Sequence, residues 1–326
     1  MESIEPLILN EKEIESVAPP LKEVIGIVEE TLRMDGQGKV EVPTKIGVHP
    51  DHPRSFLHAM PAWVSGARAL GMKWVSYYPG NLERGFPDST AMIILNHPEH
   101  GLPVAIMAGM WITYARTAAC AAVAAKYLAP PNPIRLGLVG CGGLGKWSLQ
   151  ALTIVYPMLQ EVYVASRTSQ SRRQFCNEMS QQGPWQLKPV DQVEDAVRGM
   201  DIVVSSTPKP SEPPVKGVWW EAHTLAILLD VLGGWDDRAF HLVERLVTDN
   251  YEGLQRAKPK DRPDLRLPER WDTLANVVLG KAPGRKRPDE RLMAIPTGIA
   301  SFDMTVGWEI YRRAQAAGVG VHVRLS

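Results

Sequence analysis

The run IRLGLVGCGGLG, Ile134–Gly145, decides the fold. Ile134, Leu136, Leu138 and Val139 form a short apolar run of strand character. It ends in Gly140-Cys141-Gly142-Gly143-Leu144-Gly145, which fits G-x-G-x-x-G, and the apolar stretch Leu144–Leu159 continues as a helix. Strand, glycine turn and helix make the first half of a βαβ unit. In that setting Gly140 allows the tight turn, Gly142 the close approach of a pyrophosphate, and Gly145 close packing of helix on strand. The helix N-terminus, with Gly143 and Leu144, faces the phosphates. Glycine-rich turns are common in α/β proteins, so the flanking strand and helix carry the dinucleotide reading.

Downstream, Val162–Ser166 is expected as the second strand, followed by a polar helix over Ser171–Gln182 and another over Val190–Arg198. Ile202–Ser205 and Thr224–Leu232 read as further strands, and Leu242–Thr248 as the last piece of the sheet. Strands alternating with helices imply α/β architecture, a Rossmann-type doubly wound parallel sheet. Proline-rich Pro208–Gly217 reads as a loop leaving the sheet edge, and Lys258–Arg270 and Lys281–Arg291 read as solvated loops. The first third is mixed α+β: a strand at 6–9, a helix capped by Asn10, a helical stripe over Leu21–Met34, a strand at Leu70–Tyr78, and a hairpin of Thr90–Leu95 with Leu102–Met107. Trp111–Leu128 is an alanine-rich helix ended by Pro130, Pro131 and Pro133, which mark a domain boundary. A closing helix over Ile299–Gly318 and a strand over Val319–Leu325 complete the chain.

The 326 residues suffice for two domains with sizeable cores. A formal net charge of zero gives no general attraction to nucleic acid or to an anionic membrane. Arg116 and Lys126 make Trp111–Leu128 a poor membrane span. Cys120, Cys141 and Cys176 lack metal-ligand spacing and read as reduced thiols, and MESIEPLILNEKEIE is too acidic for a secretory or mitochondrial signal. The expected location is the cytosol.

Some residues point to chemistry. The second strand ends in Ala165-Ser166-Arg167-Thr168, with Arg172 and Arg173 beyond, where a carboxylate would select the NAD ribose. A hydroxyl with a guanidinium suits a 2′-phosphate, which favours NADP while leaving NAD possible. Lys73 in LGMKWVSYY and Arg116 in the alanine-rich helix are cations in apolar elements, so each needs a partner, structural or ligand. Asp230, in ILLDVLGG, lies near the C-terminal end of a strand, where it could act as acid or base or cap a helix.

The chain resembles the ornithine cyclodeaminase/mu-crystallin family along nearly its whole length. The resemblance rests on GMKWVSYYPGN (71–81), GLPVAIMAGMWITYARTAACAAVAAKYLA (101–129), GLVGCGGLG (137–145), VYVASRT (162–168), DIVVSSTP (201–208) and GIASFDMTVGWEIYRRAQAAGVG (298–320). It implies that Lys45, Lys73 and Arg116 hold a substrate carboxylate. Lys45 departs from the usual arginine, and Arg54 is an alternative. It places the acid/base aspartate on Asp230, in an unusual context that leaves Asp236 and Asp237 as fallbacks, and adds Ser206 and Thr207 to the nucleotide contacts. It also implies a substrate-binding and dimerisation domain from residues 1–129 and 299–326, a nucleotide domain from 130–298, and a homodimer.

The expected activity is hydride transfer between NAD(P) and the α-carbon of a small imino or amino acid, with Asp230 and Lys73 catalytic. Alternatives are a cyclodeaminase-type lyase with tightly held NAD, and a non-catalytic ligand-binding protein.

Overall fold

The computed structural model describes residues 4–50, 55–208, 212–259 and 262–325. The chain divides into two compact units: one runs to Arg116 and resumes at Gly298, the other spans Thr117–Thr297. The prolines after Ala129 suggest a boundary there, but the division falls inside a continuous helix, Met110–Leu128.

In the first unit, β1 (Leu7–Leu9) leads through α1 (Glu11–Val17) and α2 (Leu21–Gly36) to β2 (Val40–Glu41), β3 (Ile46–Val48) and β4 (Phe56–Val64). Then follow β5 (Ala69–Tyr77), β6 (Ser89–Asn96), β7 (Pro103–Ala108) and α3 (Met110–Leu128). Asn10 and Glu13 start α1 with a reciprocal capping box. Strands β4 to β7 form an antiparallel meander, β1 joins β7 in parallel, and a terminal strand, Val321–His322, pairs with β1. The two-residue period of a strand decides which side chains go inward. On β5, Ala69, Gly71 and Lys73 share the buried face, while Trp74 stands on the other. The C-terminal helix, Ala300–Ala317, packs on β4, β5 and β6. A Cβ on Gly71 would stand 2.9 Å from Met304 Sδ, so glycine lets this helix approach beside Lys73.

The second unit starts with β8 (Arg135–Val139), α4 (Gly143–Val155), β9 (Glu161–Ala165), α5 (Ser169–Met179) and β10 (Gln186–Pro189). It continues with β11 (Ile202–Ser205), β12 (Leu225–Leu228), α6 (Asp237–Leu242), β13 (Arg245–Thr248), α7 (Tyr251–Arg256), β14 (Trp271–Thr273), α8 (Leu274–Val278) and β15 (Leu292–Ile295). The eight strands are all parallel, in the order β10-β9-β8-β11-β12-β15-β13-β14. This is a doubly wound α/β sheet. Its order reverses between β8 and β11, where such sheets open a ligand crevice at the strands' carboxyl ends.

Several sequence expectations need correction. The helix expected over Val190–Arg198 is one 3-10 turn, Val193–Ala196, preceded by β10, whose residues gain ladder bonds from β9. Leu242–Thr248 is not the end of the sheet. β14 and β15 follow, and β15 inserts between β12 and β13 because LMAI, four fully buried residues, needs strands on both sides. The strand expected over Thr224–Leu232 stops at Leu228, and Asp230 occupies the turn beyond it.

Each of the three expected loops carries a tie to the core, although much of each is exposed; residues 209–211 and 260–261 lie outside the described residues. Val215 is buried and bridges to Trp235. Arg262 donates to the carbonyls of Leu232 (2.7 Å) and Trp235 (3.0 Å), and Arg285 to that of Leu128 (2.8 Å). These arginines satisfy backbone acceptors at turns and at a helix end, which composition does not reveal.

Trp220 and Trp235 meet edge to face in the core of this unit, with ring centroids 5.6 Å apart. Replacing Trp220 by alanine is expected to cost about 3–5 kcal/mol of stability, read from the urea midpoint by circular dichroism.

Candidate active site

The glycine turn has the geometry that close phosphate approach demands. Gly140 has φ +119°, and a Cβ there would stand 2.7 Å from the Ser206 carbonyl oxygen. A Cβ on Gly145 would stand 2.4 Å from the Gly140 carbonyl oxygen, so strand end and helix start can touch only at glycine. A Cβ on Gly142 would meet no atom within 4 Å, which leaves its backbone open to a ligand. Among the described residues no side chain caps α4, which begins at Gly143 and Leu144. The residues present therefore fit a dinucleotide pyrophosphate: an uncapped helix start, a bare backbone, and a turn at the sheet's switch point.

At the end of β9, Ser166 Oγ lies 2.8 Å from Ser171 Oγ, which lies 2.7 Å from Thr168 Oγ1. Arg172, although near, is buried and committed: it donates to the Ser166 carbonyl at 3.0 Å and pairs with Asp191. Arg167 and Arg173 are exposed. Ser206 follows β11 beside Gly140, whereas Thr207 directs its amide (3.1 Å) and hydroxyl (2.8 Å) to Asp230 Oδ2.

Three hydrogen bonds fix the Asp230 carboxylate. Its Oδ1 accepts from Ser205 Oγ at 2.8 Å, and Ser205 Oγ accepts from the Trp235 indole N–H at 3.0 Å. Burial raises the pKa of its carboxyl above the ordinary value, and the bonds from Ser205 and Thr207 offset only part of that. Val231, the next residue, has φ +57°, a left-handed conformation that a β-branched residue adopts only under constraint. A Cβ on Gly234 would stand 2.1 Å from Asp230 Oδ2, so glycine makes room for the carboxylate. Of the fallbacks, Asp236 caps α6 and also accepts from Gly217 N at 2.8 Å, and Asp237 pairs with Arg262. Their side chains are engaged in structure, and capping falls to Asp236 rather than Asp230.

The first unit buries a second cluster. Lys73 Nζ donates to Thr113 Oγ1 at 2.7 Å and to Asp303 Oδ1 at 2.9 Å; Arg116 Nε reaches the same Asp303 oxygen at 3.1 Å. Lys73 is 1% exposed, Arg116 6% and Asp303 0%. Burial, then the neighbouring Arg116 charge, bring Lys73 down to about 7 against the pull of Asp303. For Asp303 burial acts upward, but Arg116 and Lys73 outweigh it and hold the carboxyl below its ordinary value. Lys45 is exposed, and its charge also disfavours the Lys73 proton. Arg54 lies outside the described residues. Gly298, with φ +75°, lies against Arg116: a Cβ there would stand 2.5 Å from Nη1.

Sequence reasoning missed Asp303. The stripe Phe302, Val306, Ile310, Ala314 marks one buried face of the C-terminal helix, but Ala300–Gly307 is buried on all sides. The available signal was a lone carboxylate between Phe302 and Met304, in an apolar run that must find cations for it.

The fold and these two clusters define a two-unit α/β protein of the nucleotide-binding class. The model of the ornithine cyclodeaminase/mu-crystallin family matches residues 4–318, and the chain belongs to that family. It is 31% identical over 328 residues to alanine dehydrogenase of Archaeoglobus fulgidus, covering 98% of this chain and 99% of that one. Among solved structures, Delta(1)-pyrroline-2-carboxylate reductase of Thermococcus litoralis, in complex with NADH and L-proline, matches at 28% identity and TM-score 0.90, covering 97% of this chain and 100% of that one. An archaeal alanine dehydrogenase dimer with bound NAD matches at 30% identity and TM-score 0.88, covering 99% and 100%.

The glycine geometry yields a paired expectation. Gly145→Ala drives a methyl group into backbone and is expected to cost about 2 kcal/mol or more; Gly142→Ala should stay within about 0.5 kcal/mol of the parent. Thermal unfolding of both variants checks the contrast.

Proposed function

We propose that this protein is an NAD(P)-dependent oxidoreductase that transfers hydride between nicotinamide and the α-carbon of a small imino or amino acid. The observation that carries the reading is the buried Lys73–Asp303–Arg116 cluster, in a chain whose other unit carries the open glycine turn. Two cations held on one carboxylate retain a net positive charge suited to a substrate carboxylate. The similarity to an alanine dehydrogenase and to a reductase complexed with NADH and L-proline supports the same substrate class.

In this reading Lys73 and Arg116 anchor the carboxylate and so orient the α-carbon, with Lys45 or Arg54 adding charge. Asp230 exchanges a proton with the substrate nitrogen; its raised pKa and fixed orientation suit that role. When bound, the nicotinamide supplies or accepts the hydride. Gly140, Gly142, Gly143, Leu144 and Gly145 face the pyrophosphate, with Ser206 beside them, and Ser166, Arg167 and Thr168 face the ribose. Arg167 is an exposed guanidinium at that end and favours NADP, with NAD also accepted. The unit that runs to Arg116 and resumes at Gly298 serves substrate binding and dimerisation, and Thr117–Thr297 serves the nucleotide. The outer face of the first sheet supports a homodimer, since Trp74 and Met92 are cross-strand neighbours there and both are exposed. The proposed location is the cytosol.

The test is a panel of 2-oxo acids with and without amines, together with cyclic imino acids, following NADPH and NADH oxidation separately. Turnover with an imine or an oxo acid supports the reading, and its absence across the panel refutes it. Asp230→Asn should lower kcat by roughly 10²–10⁴-fold with dinucleotide affinity retained; near-parent turnover would remove Asp230 from the chemistry. Arg167→Ala should weaken NADPH binding about tenfold and leave NADH binding nearly unchanged, as measured by fluorescence titration.

A further inference from the structure

We propose that Asp303 is a positioning residue of the carboxylate site: one of its oxygens holds Lys73 and Arg116 at a common point and keeps Lys73 cationic for the ligand. The inference rests on the reading above, in which these two cations bind a substrate carboxylate.

The hydrogen bonds make the case. Asp303 Oδ1 accepts from both cations, at 2.9 and 3.1 Å, while Oδ2 is buried and has no partner among the described residues. An orphaned buried oxygen is costly, so this is a poor arrangement for stabilising a fold. It is a good one for bringing two cations together. Thr113 sharpens the argument. Its hydroxyl donates to the Gly109 carbonyl at 2.6 Å, so its oxygen is left to accept from Lys73. Lys73 thus directs two N–H groups to the protein, at Thr113 and Asp303. As an ammonium it keeps a third N–H for a carboxylate oxygen; as a neutral amine it offers a lone pair instead, which repels one.

The charges around Lys73 come from separate elements. Arg116 on α3 and Lys45 before β3 both oppose its proton, and Asp303 on the C-terminal helix favours it. Its register neighbours on β4 and β6, Met60 and Ile93, are apolar. Neutralising Asp303 therefore makes Lys73 lose its proton at a lower pH.

Asp303→Asn tests this with little change of shape. The Lys73 Nζ titration is followed by NMR on lysine-labelled protein, assigned by the signal missing from Lys73→Met. The midpoint, near 7 in the parent, should fall by about one pH unit or more, a tenfold loss of proton affinity. With NADH saturating, L-proline affinity measured by calorimetry should decline above pH 7 in the parent and begin to decline about one unit lower in the variant. An unmoved Lys73 midpoint, or an affinity loss uniform with pH, would reduce Asp303 to a structural role and overturn the proposal. Should Asp303→Asn not fold, Asp303→Glu decides: it keeps the charge but displaces the oxygen, so the Lys73 midpoint should stay near that of the parent while L-proline affinity declines at every pH, and an unchanged L-proline affinity overturns the inference. If L-proline and the other carboxylates of the panel fail to bind, the functional reading falls, while the NMR arm still decides whether Asp303 governs Lys73.

Discussion

Two cations cannot be buried in the first unit without a carboxylate, and that requirement shapes the chain. Lys73 is placed inward by strand alternation and Arg116 by its helix, and an unpaired buried charge costs far more than a fold can spare. The carboxylate that meets them, Asp303, lies 230 residues after Lys73 and 187 after Arg116. The chain must therefore return to the sheet where it began. Everything between Thr117 and Thr297 is enclosed in that return, and it forms a unit of its own.

The second unit solves a different problem, presenting bare backbone at a sheet edge. Glycines at 140 and 145 let the end of β8 and the start of α4 touch, and Gly142 leaves its surface open. Beside this turn in the strand order, β11 supplies Ser205 and the segment after it Thr207, and the turn after β12 supplies the aspartate they hold. The left-handed Val231 and the close approach of Gly234 show that the backbone near Asp230 is bent to suit the carboxylate. A carboxylate raised by burial and fixed by directed donors is the kind of group a proton-transfer role requires.

Much of this was legible in the sequence where the signal is local. The glycine spacing, the strand before it and the helix after it are contiguous, so their geometry follows from neighbouring residues. Lys73 and Arg116 stood out because charge in an apolar element demands an explanation. Other features were illegible for physical reasons. LMAI is four residues long and carries no period, so only its neighbours β12 and β13 make it a strand of the sheet interior. Arg262 and Arg285 look like surface charge until the carbonyls they cap are in place. Arg172 looked like a phosphate ligand until Asp191 and the Ser166 carbonyl were found on it.

By itself, then, the sequence determined the short-range elements: the dinucleotide turn, the alternation that buries Lys73, the alanine-rich helix carrying Arg116, and the apolar strand that leads to Asp230. The tertiary structure alone decided which carboxylate answers which cation. It selected Asp303 for Lys73 and Arg116, and surrounded Asp230 with Ser205, Thr207 and, through Ser205, Trp235. Periodicity records only which way a side chain points relative to its own element. The partner of a buried charge depends on which distant element packs over it, and that follows from burial of the whole surface, not from any window of sequence.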